Sequence, residues 1–191
     1  FFDTVISVKC SDVKTTVEAY RKLGSECDYP LHGGVTESGT DERGVVRSAA
    51  GIGALLIDGI GDTVRVSLSG DPVKEVEAAR MILQETGVDK NYCQIISCPT
   101  CSRCKYDLKS TVDKLKAATA DITTPIKIAV MGCVVNGPGE ARDADFGVAG
   151  GGSGKAALFV RGEVVKTIEH DEVLGELLRL VKEKVEAETN E

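Results

Sequence analysis

Residues 3–88 alternate between segments typical of β-strands and segments typical of α-helices, and this alternation constrains the fold more than any other feature. Strands are predicted at 3–10 and 61–70, and a strand that runs into a loop is predicted at 29–39. The predicted helices lie at 11–24, 43–59 and 71–87. Strands that alternate with helices pair in parallel through right-handed crossovers. We therefore predict an α/β fold for this half of the chain. Three such units cannot close an eight-stranded barrel by themselves, but they can supply its end.

The third predicted helix has the clearest boundaries. Asp71 takes the N-cap position, Pro72 takes the first helical position, and Gly87 follows the last turn. Its apolar residues recur at helical spacing and predict one buried face, made of Val73, Val76, Ala79, Ile82 and Leu83.

Residues 90–191 have a different pattern, which predicts a small α+β domain. The predicted elements are a strand running into a thiol-containing loop at 93–101, a strand running into a turn at 126–140, and helices at 106–119 and 171–188. A short hairpin pair with a glycine-rich connection is predicted at 145–168. The apolar face of the last helix would consist of Leu174, Leu177, Leu178, Val181 and Val185. We place the boundary between the two domains after residue 89, which gives domains 1–89 and 90–191.

The composition argues against several classes of partner. The net charge is −7, aromatic residues make up 4% and tryptophan is absent, so we expect no nucleic-acid partner. No apolar run reaches the ~18–20 residues of a membrane span, and no signal peptide is recognisable, so we expect no membrane partner. A small phosphate ligand stays possible, because it needs only a few local cations. The chain begins with Phe1 rather than Met, and we expect a fragment that lacks its N-terminal part.

The strongest chemical signal is a set of cysteines in two short motifs. "CPTCSRC" places Cys98, Cys101 and Cys104 at the C-x2-C-x2-C spacing of ferredoxin-type iron–sulfur sequences, and Cys133 follows in "GCVVNGPGE". The total of seven cysteines is odd and unevenly clustered, which fits poorly with a disulfide framework. A metal or cluster in a reducing compartment is therefore favoured.

Spacing alone leaves four interpretations of these thiols open. They are an iron–sulfur cluster, a structural zinc site of four thiolates, a redox dithiol of Cys98 and Cys101, and buried thiols without a metal. We favour the iron–sulfur cluster, with zinc next. Cys10, Cys27 and Cys93 lie outside the motifs and are expected to be ordinary buried thiols.

A carboxylate follows the fourth cysteine of this set. Gly137, Pro138 and Gly139 predict a tight turn that brings Glu140 back toward Cys133. A carboxylate is a weaker ligand than a thiolate, and it would leave one iron able to exchange for substrate. The alternative is that Glu140 is a solvated turn residue.

Polar residues collect near the carboxyl ends of the first three predicted strands, which is the edge where parallel α/β proteins bind ligands. The residues expected to converge there are Lys9, His32, Glu37 and Arg65. The cations suit a phosphate or diphosphate, and Glu37 or His32 could transfer protons. Alternatively, a lone histidine beside a strand is a structural residue. The other histidine, His170, is expected at the surface.

Four stretches together closely resemble the 4-hydroxy-3-methylbut-2-enyl diphosphate synthases, an iron–sulfur enzyme family of the methylerythritol phosphate route to isoprenoids. They are "DYPLHGGVTESG", "GIGDTVRVSLSGDPVKEV", "ISCPTCSR" and "MGCVVNGPGEARDADFGVAGG". The resemblance covers essentially the whole chain. It implies the C-terminal strands of a TIM-type barrel followed by a small iron–sulfur domain. It also implies a [4Fe-4S] cluster held by Cys98, Cys101, Cys133 and Glu140.

The resemblance implies an activity as well, the reductive ring opening of 2-C-methyl-D-erythritol 2,4-cyclodiphosphate to 4-hydroxy-3-methylbut-2-enyl diphosphate. Flavodoxin or ferredoxin would donate the electrons. Substrate contacts are implied for Lys9, His32, Glu37, Arg65, Ser67 and Asn136. Catalytic roles are implied for Glu140, Glu37 and His32. The alternative is that this chain, which would lack the N-terminal strands of the barrel, does not catalyse the reaction by itself.

The family forms homodimers in which the cluster domain of one subunit caps the barrel of the other, so a homodimer is expected. We expect a cytoplasmic protein if the source is bacterial. The plastid stroma is the alternative if a transit peptide lies in the missing N-terminal part.

One departure from the family creates a conflict. Cys104 occupies a position where the family usually has another residue, and "LHGG" replaces the more usual "LHLG". Spacing alone selects Cys104 as the fourth ligand, whereas the resemblance selects Glu140. We follow the resemblance, because the predicted turn places Glu140 for it and the chemistry needs an exchangeable iron. Cys104 is then a nearby free thiol or a substitute ligand.

Overall fold

The structure, a computed structural model, describes residues 3–135, 139 and 142–189. The chain divides into two compact units, Phe1–Lys90 and Asn91–Glu191. Both units combine helices with parallel strands, which confirms the predicted α/β class. None of the helices in these described ranges has the length and apolarity needed to cross a bilayer.

The first unit repeats a strand-then-helix order with very short strands. Its elements are α1 (Val13–Glu26), β1 (His32–Gly33), α2 (Asp41–Ile57), β2 (Thr63–Val64) and α3 (Pro72–Glu85). β1 and β2 pair in parallel, with His32 opposite Thr63, and a single parallel bridge joins Ile6 to Leu31. The predicted parallel order is therefore confirmed. The predicted strand at 3–10 is wrong beyond this bridge, because the Tyr20 hydroxyl lies between the two backbones there.

Two helices of this unit begin at aspartate caps. The Asp12 carboxylate accepts the Thr15 N–H at 2.7 Å, and the Asp71 carboxylate accepts the Val73 N–H at 2.9 Å. Pro72 is the first residue of α3, as the sequence predicts.

The predicted buried face of α3 is wrong at its first turn. Val73 and Val76 are 58% and 55% exposed, whereas Ala78 and Ile82 are buried. The Glu75 carboxylate accepts the Leu68 N–H at 2.8 Å and so fixes the rotation of the helix. Glu75, Ala78 and Ile82 share one face at helical spacing, and this face therefore turns inward instead.

Side chains alternate across the short strands, and this alternation defines a ligand face. Leu31, Val64 and Val66 pack in apolar clusters with residues of the helices. Because successive side chains of a strand point to opposite faces, His32 and Arg65 face away from the helices. His32 and Arg65 therefore share one face of this unit.

The second unit contains a five-stranded sheet in sequence order. Its strands are β3 (Cys93–Ser97), β4 (Ile126–Met131), β5 (Phe146–Gly150), β6 (Lys155–Val160) and β7 (Glu163–Glu169). β3, β4 and β5 pair in parallel, and β5, β6 and β7 pair antiparallel, so the predicted hairpin pair is confirmed. The helices with described bounds are α4 (Leu108–Thr119) and α5 (Val173–Thr189), the latter preceded by a 3-10 turn at His170–Glu172.

The largest apolar core of this unit lies between the sheet and helices α4 and α5. Fully buried residues come from α4, β4, β5 and α5, namely Leu115, Ile128, Val148 and Leu177. The predicted face of the terminal helix is confirmed. Val181 is buried with Leu177, and Leu174, Leu178 and Val185 pack partly buried against the same core.

Candidate functional site

A cluster of basic side chains lies at the strand ends of the first unit. A side-chain carbon at Gly34 would lie 3.3 Å from Lys9 Nζ and 2.6 Å from the Arg65 carbonyl oxygen. Glycine at this position therefore lets the Lys9 side chain lie close against the strand. Lys9, His32 and Arg65 are near enough for their charges to interact.

The electrostatics of this cluster favour an anionic ligand. Burial and the Arg65 guanidinium lower the pKa of Lys9. Burial, Lys9 and Arg65 together lower the pKa of His32. In the part of the chain that the structure describes, no carboxylate forms a salt bridge with these three residues. A bound anion would stabilise the positive charges of the half-buried Lys9 and the exposed Arg65.

His32 has one ring nitrogen engaged within the protein. Its Nδ1 lies 2.9 Å from the Thr63 Oγ1, in keeping with the pairing of His32 opposite Thr63. If the threonine hydroxyl donates, the neutral ring carries its proton on Nε2. Thr63 was not predicted from the sequence as a residue of this site. The parallel register of β1 and β2 is the signal that identifies it.

Two further residues predicted to contact the substrate, Ser67 and Glu37, differ in their placement. Ser67 is half-buried and follows Arg65 by two positions, so it shares the ligand face. Glu37 lies on the exposed loop after β1 with a left-handed backbone, φ 52°, and its carbonyl oxygen accepts from Arg47 Nη1 at 3.2 Å. No described cation pairs with the Glu37 carboxylate, and its predicted convergence with Lys9, His32 and Arg65 stays a prediction.

We expect the His32 imidazole to titrate below its ordinary pKa of 6.5, because burial and two neighbouring cations disfavour its charged form. The unfolded chain then takes up the proton more readily, so the free energy of unfolding falls as the pH drops from 6.5 to the folded-state pKa. An NMR titration of the ring protons measures this value. Arg65→Ala should raise it, and a value unchanged by that substitution would contradict the proximity described above.

The second candidate site lies where two parallel strands of the other unit end. Ser97 pairs with Val130, so the residues after β3 and β4 leave the same edge of the sheet side by side. The Gly132 N–H donates to the Cys98 Sγ at 3.2 Å. The loop that carries Cys133 therefore begins in contact with the loop that carries the first three thiols.

Cys104 belongs to the same local cluster. A side-chain carbon at Gly132 would lie only 2.7 Å from the Cys104 Sγ, and this sulfur donates to the Tyr106 carbonyl oxygen at 3.2 Å. The Cys104 N–H bonds to the Cys101 carbonyl oxygen at 3.0 Å and tightens the turn between them. Gly132 thus has both Cys98 and Cys104 beside it.

The thiols of this site differ in exposure and acidity. Cys133 is buried, Cys98 and Cys104 are half-buried, and Cys101 is exposed; all seven cysteines of the chain are free. Hydrogen bonds from Arg103, together with its guanidinium charge, lower the pKa of Cys101. A lowered pKa increases the thiolate fraction, and the thiolate is the form that binds metals.

The predicted ligand set is only partly visible. The described residues contain no group of three or more His, Cys, Asp or Glu side chains placed to hold a metal ion. Cys98, Cys101 and Cys133 are therefore not assembled as a ligand group, although Cys98 touches the residue before Cys133. The predicted ligand Glu140 and the predicted substrate contact Asn136 lie outside the described residues.

An aromatic pair, Tyr106 and His170, lies beside the thiols and was not predicted from the sequence. The Tyr106 hydroxyl donates to the Met131 carbonyl oxygen at 3.1 Å, and its ring lies 5.2 Å from the His170 ring. Burial and the neighbouring thiols raise the pKa of Tyr106. His170 is partly exposed, which agrees with its predicted surface position, and its Nε2 lies 2.7 Å from the Lys155 carbonyl oxygen.

Comparison with known proteins gives matches over almost the whole chain. The sequence model of the GcpE TIM-barrel domain matches residues 1–80, and that of the GcpE protein C-terminal domain matches residues 94–183. These matches confirm the predicted TIM-barrel relationship and the predicted family.

Curated relatives agree with the domain matches. Three of them share the name 4-hydroxy-3-methylbut-2-en-1-yl diphosphate synthase (flavodoxin). The protein of Thermodesulfovibrio yellowstonii is 51% identical over 95% of this chain and 52% of its own length. Those of Caldanaerobacter subterraneus and Fusobacterium nucleatum are each 50% identical, over 98% and 97% of this chain and 53% and 52% of their own lengths.

This chain therefore spans about half the length of the curated relatives it matches. The matched stretches extend through both units. The chain belongs to the GcpE family, with sequence from both the TIM-barrel domain and the C-terminal domain of that family.

Proposed function

We propose that this chain serves the reaction named in its relatives, the synthesis of 4-hydroxy-3-methylbut-2-enyl diphosphate. The substrate would be 2-C-methyl-D-erythritol 2,4-cyclodiphosphate, opened by reduction. The observation that carries the proposal is the cluster of Lys9, His32 and Arg65. Lys9 and Arg65 place positive charge beside His32 at the carboxyl ends of parallel strands, no described carboxylate pairs with them, and a diphosphate would bind there.

The first unit would bind and orient the substrate. Lys9 and Arg65 would neutralise its phosphate oxygens, and the bare backbone at Gly34 would admit a phosphate close to the strand. A neutral His32, fixed by Thr63, would donate a hydrogen bond from Nε2. Ser67 and Asn136 would add polar contacts, and Glu37 would exchange a proton with a substrate hydroxyl.

The second unit would hold a [4Fe-4S] cluster through Cys98, Cys101, Cys133 and Glu140. The donor chemistry fits this group: Cys98 accepts a backbone N–H, and the pKa of Cys101 is lowered. Thiolate ligands and hydrogen bonds to their sulfurs are the means by which proteins hold and tune such clusters. The cluster would supply single electrons and a Lewis acid to the reaction.

Other parts of this proposal concern partners and location. Flavodoxin, which the names of the relatives give, or ferredoxin would deliver the electrons. A homodimer and a cytoplasmic location are proposed as well, the plastid stroma being the alternative for a chain with a transit peptide.

Metal analysis of anaerobically purified protein tests the proposal. We expect about four iron and four sulfide ions per chain, together with an EPR signal of the reduced protein that changes when the cyclodiphosphate is added. A cluster whose EPR signal does not change when the substrate is added would indicate an electron carrier instead. Zinc without sulfide would indicate a structural metal site and would overturn the proposal.

A further inference from the structure

A buried tyrosine hydroxyl lies between the first two parallel segments of the first unit. Tyr20, on α1, is fully buried. Its hydroxyl accepts the Val8 N–H at 3.1 Å and donates to the His32 carbonyl oxygen. Ser7 Oγ lies 3.3 Å from this hydroxyl and donates to the same carbonyl oxygen at 3.0 Å.

The hydroxyl occupies the place of a strand-to-strand hydrogen bond. On one side, Ile6 N–H bonds to the Pro30 carbonyl at 2.9 Å and His32 N–H to the Ile6 carbonyl at 2.8 Å. In a parallel ladder the next bond of this series joins Val8 N–H to the His32 carbonyl. Tyr20 takes both of these groups, so the two backbones stand apart by the width of a hydroxyl group.

The ladder resumes in the same register beyond the opening. Thr36 N–H bonds to the Cys10 carbonyl at 3.2 Å, as a continuous parallel pairing from Ile6 and Leu31 requires. Between these points, the Gly34 N–H that would bond to Val8 has no partner among the described backbone groups. The opening is therefore local, and its edge includes the Gly34 N–H, a donor that no described group engages.

The opening coincides with the cation cluster. Lys9 follows Val8 directly, and its Nζ would lie 3.3 Å from a side-chain carbon at Gly34. A lysine ammonium and a free backbone N–H side by side form a pair of donors suited to one phosphate group. His32, whose carbonyl Tyr20 holds, belongs to the same cluster.

We propose that Tyr20 is a positioning residue that holds the ladder open, so that Lys9 Nζ and the Gly34 N–H bind one phosphate group of the substrate together. The identity of this ligand rests on the proposed function. The opening does not depend on that identity, because the hydrogen bonds of Tyr20 define it.

Tyr20→Phe tests this role, because it removes the hydroxyl and keeps the ring in the core. Val8 N–H and the His32 carbonyl can then pair directly, which avoids two unsatisfied groups and preserves the fold. We expect the variant to bind inorganic pyrophosphate about 10-fold or more weakly in calorimetry, since a charge-assisted hydrogen bond is lost. Its melting temperature should stay within a few degrees of the wild type.

Amide NMR supplies a readout that a purely structural role would not move. In the wild type, pyrophosphate should shift the Gly34 amide signal. In Tyr20→Phe this shift should disappear, and the Val8 amide should exchange more slowly with solvent. Ser7→Ala, which leaves both Tyr20 bonds to the backbone in place, is the matched control and should bind pyrophosphate as the wild type does.

Three outcomes would overturn this inference. They are wild-type pyrophosphate affinity in Tyr20→Phe, an unmoved Gly34 amide in the wild type, and an equal loss of affinity in Ser7→Ala. If Tyr20→Phe does not fold, the effect of pyrophosphate on the Gly34 amide signal of the wild type still tests the inference. The proposed function fails separately, through the absence of iron and sulfide or of any response to the cyclodiphosphate.

Discussion

Cys133→Ser is expected to remove nearly all iron and acid-labile sulfide from anaerobically purified protein. Cys133 is buried and follows Gly132, whose N–H already bonds to Cys98. A serine oxygen at this position is a hard ligand in a site that depends on soft thiolates. Iron and sulfide analysis, together with the brown colour of the protein, measures the loss without a need for turnover.

The matched control for this variant is Cys10→Ser, because Cys10 is a half-buried thiol of the other unit. It should keep the iron and sulfide content of the wild type. A Cys133→Ser protein that retains its full cluster would show that the ligand set inferred for the second unit is wrong.

The same analysis decides between Cys104 and Glu140 as the fourth ligand. Cys104 lies against Gly132 in the structure, so its position leaves it available as a ligand. If Glu140 is the ligand, Cys104→Ser should keep its iron and Glu140→Ala should assemble a labile cluster. An all-thiolate set would give the reverse, with iron lost from Cys104→Ser and retained by Glu140→Ala.

The order of elements was predictable from the sequence because local signals determine it. Helix caps at Asp12 and Asp71 and the alternation of apolar runs act over a few residues. They identify the elements and their parallel pairing. The convergence of Lys9, His32 and Arg65 follows from that pairing, since the carboxyl ends of parallel strands meet at one edge.

The remaining features depend on contacts between residues far apart in the sequence. The rotation of α3 is set by the bond from Glu75 to the Leu68 N–H, which apolar spacing does not encode. The early end of the first strand depends on Tyr20, a residue of the following helix. Aromatic residues in an amphipathic helix predict burial, but they do not predict that a hydroxyl replaces a ladder bond.

Arg65→Ala is expected to weaken binding of the cyclodiphosphate by about 10- to 100-fold, the effect of losing hydrogen bonds to a charged group. Arg65 pairs with no described carboxylate, so its removal leaves no buried anion behind and the fold should persist. Calorimetry or the substrate-induced EPR change measures the affinity, and iron content should equal that of the wild type because Arg65 belongs to the other unit.

Arg80→Ala supplies the control for net charge, because Arg80 is exposed on α3 and carries the same group. Both variants lower the net charge of the protein by one. A difference between their affinities for the substrate would therefore come from a specific contact of Arg65. Long-range attraction by the protein as a whole would affect the two equally and would weaken with salt. A loss of affinity confined to Arg65→Ala would place the phosphate at the cluster of Lys9, His32 and Arg65. Equal losses of affinity in the two variants would contradict binding of the substrate at that cluster.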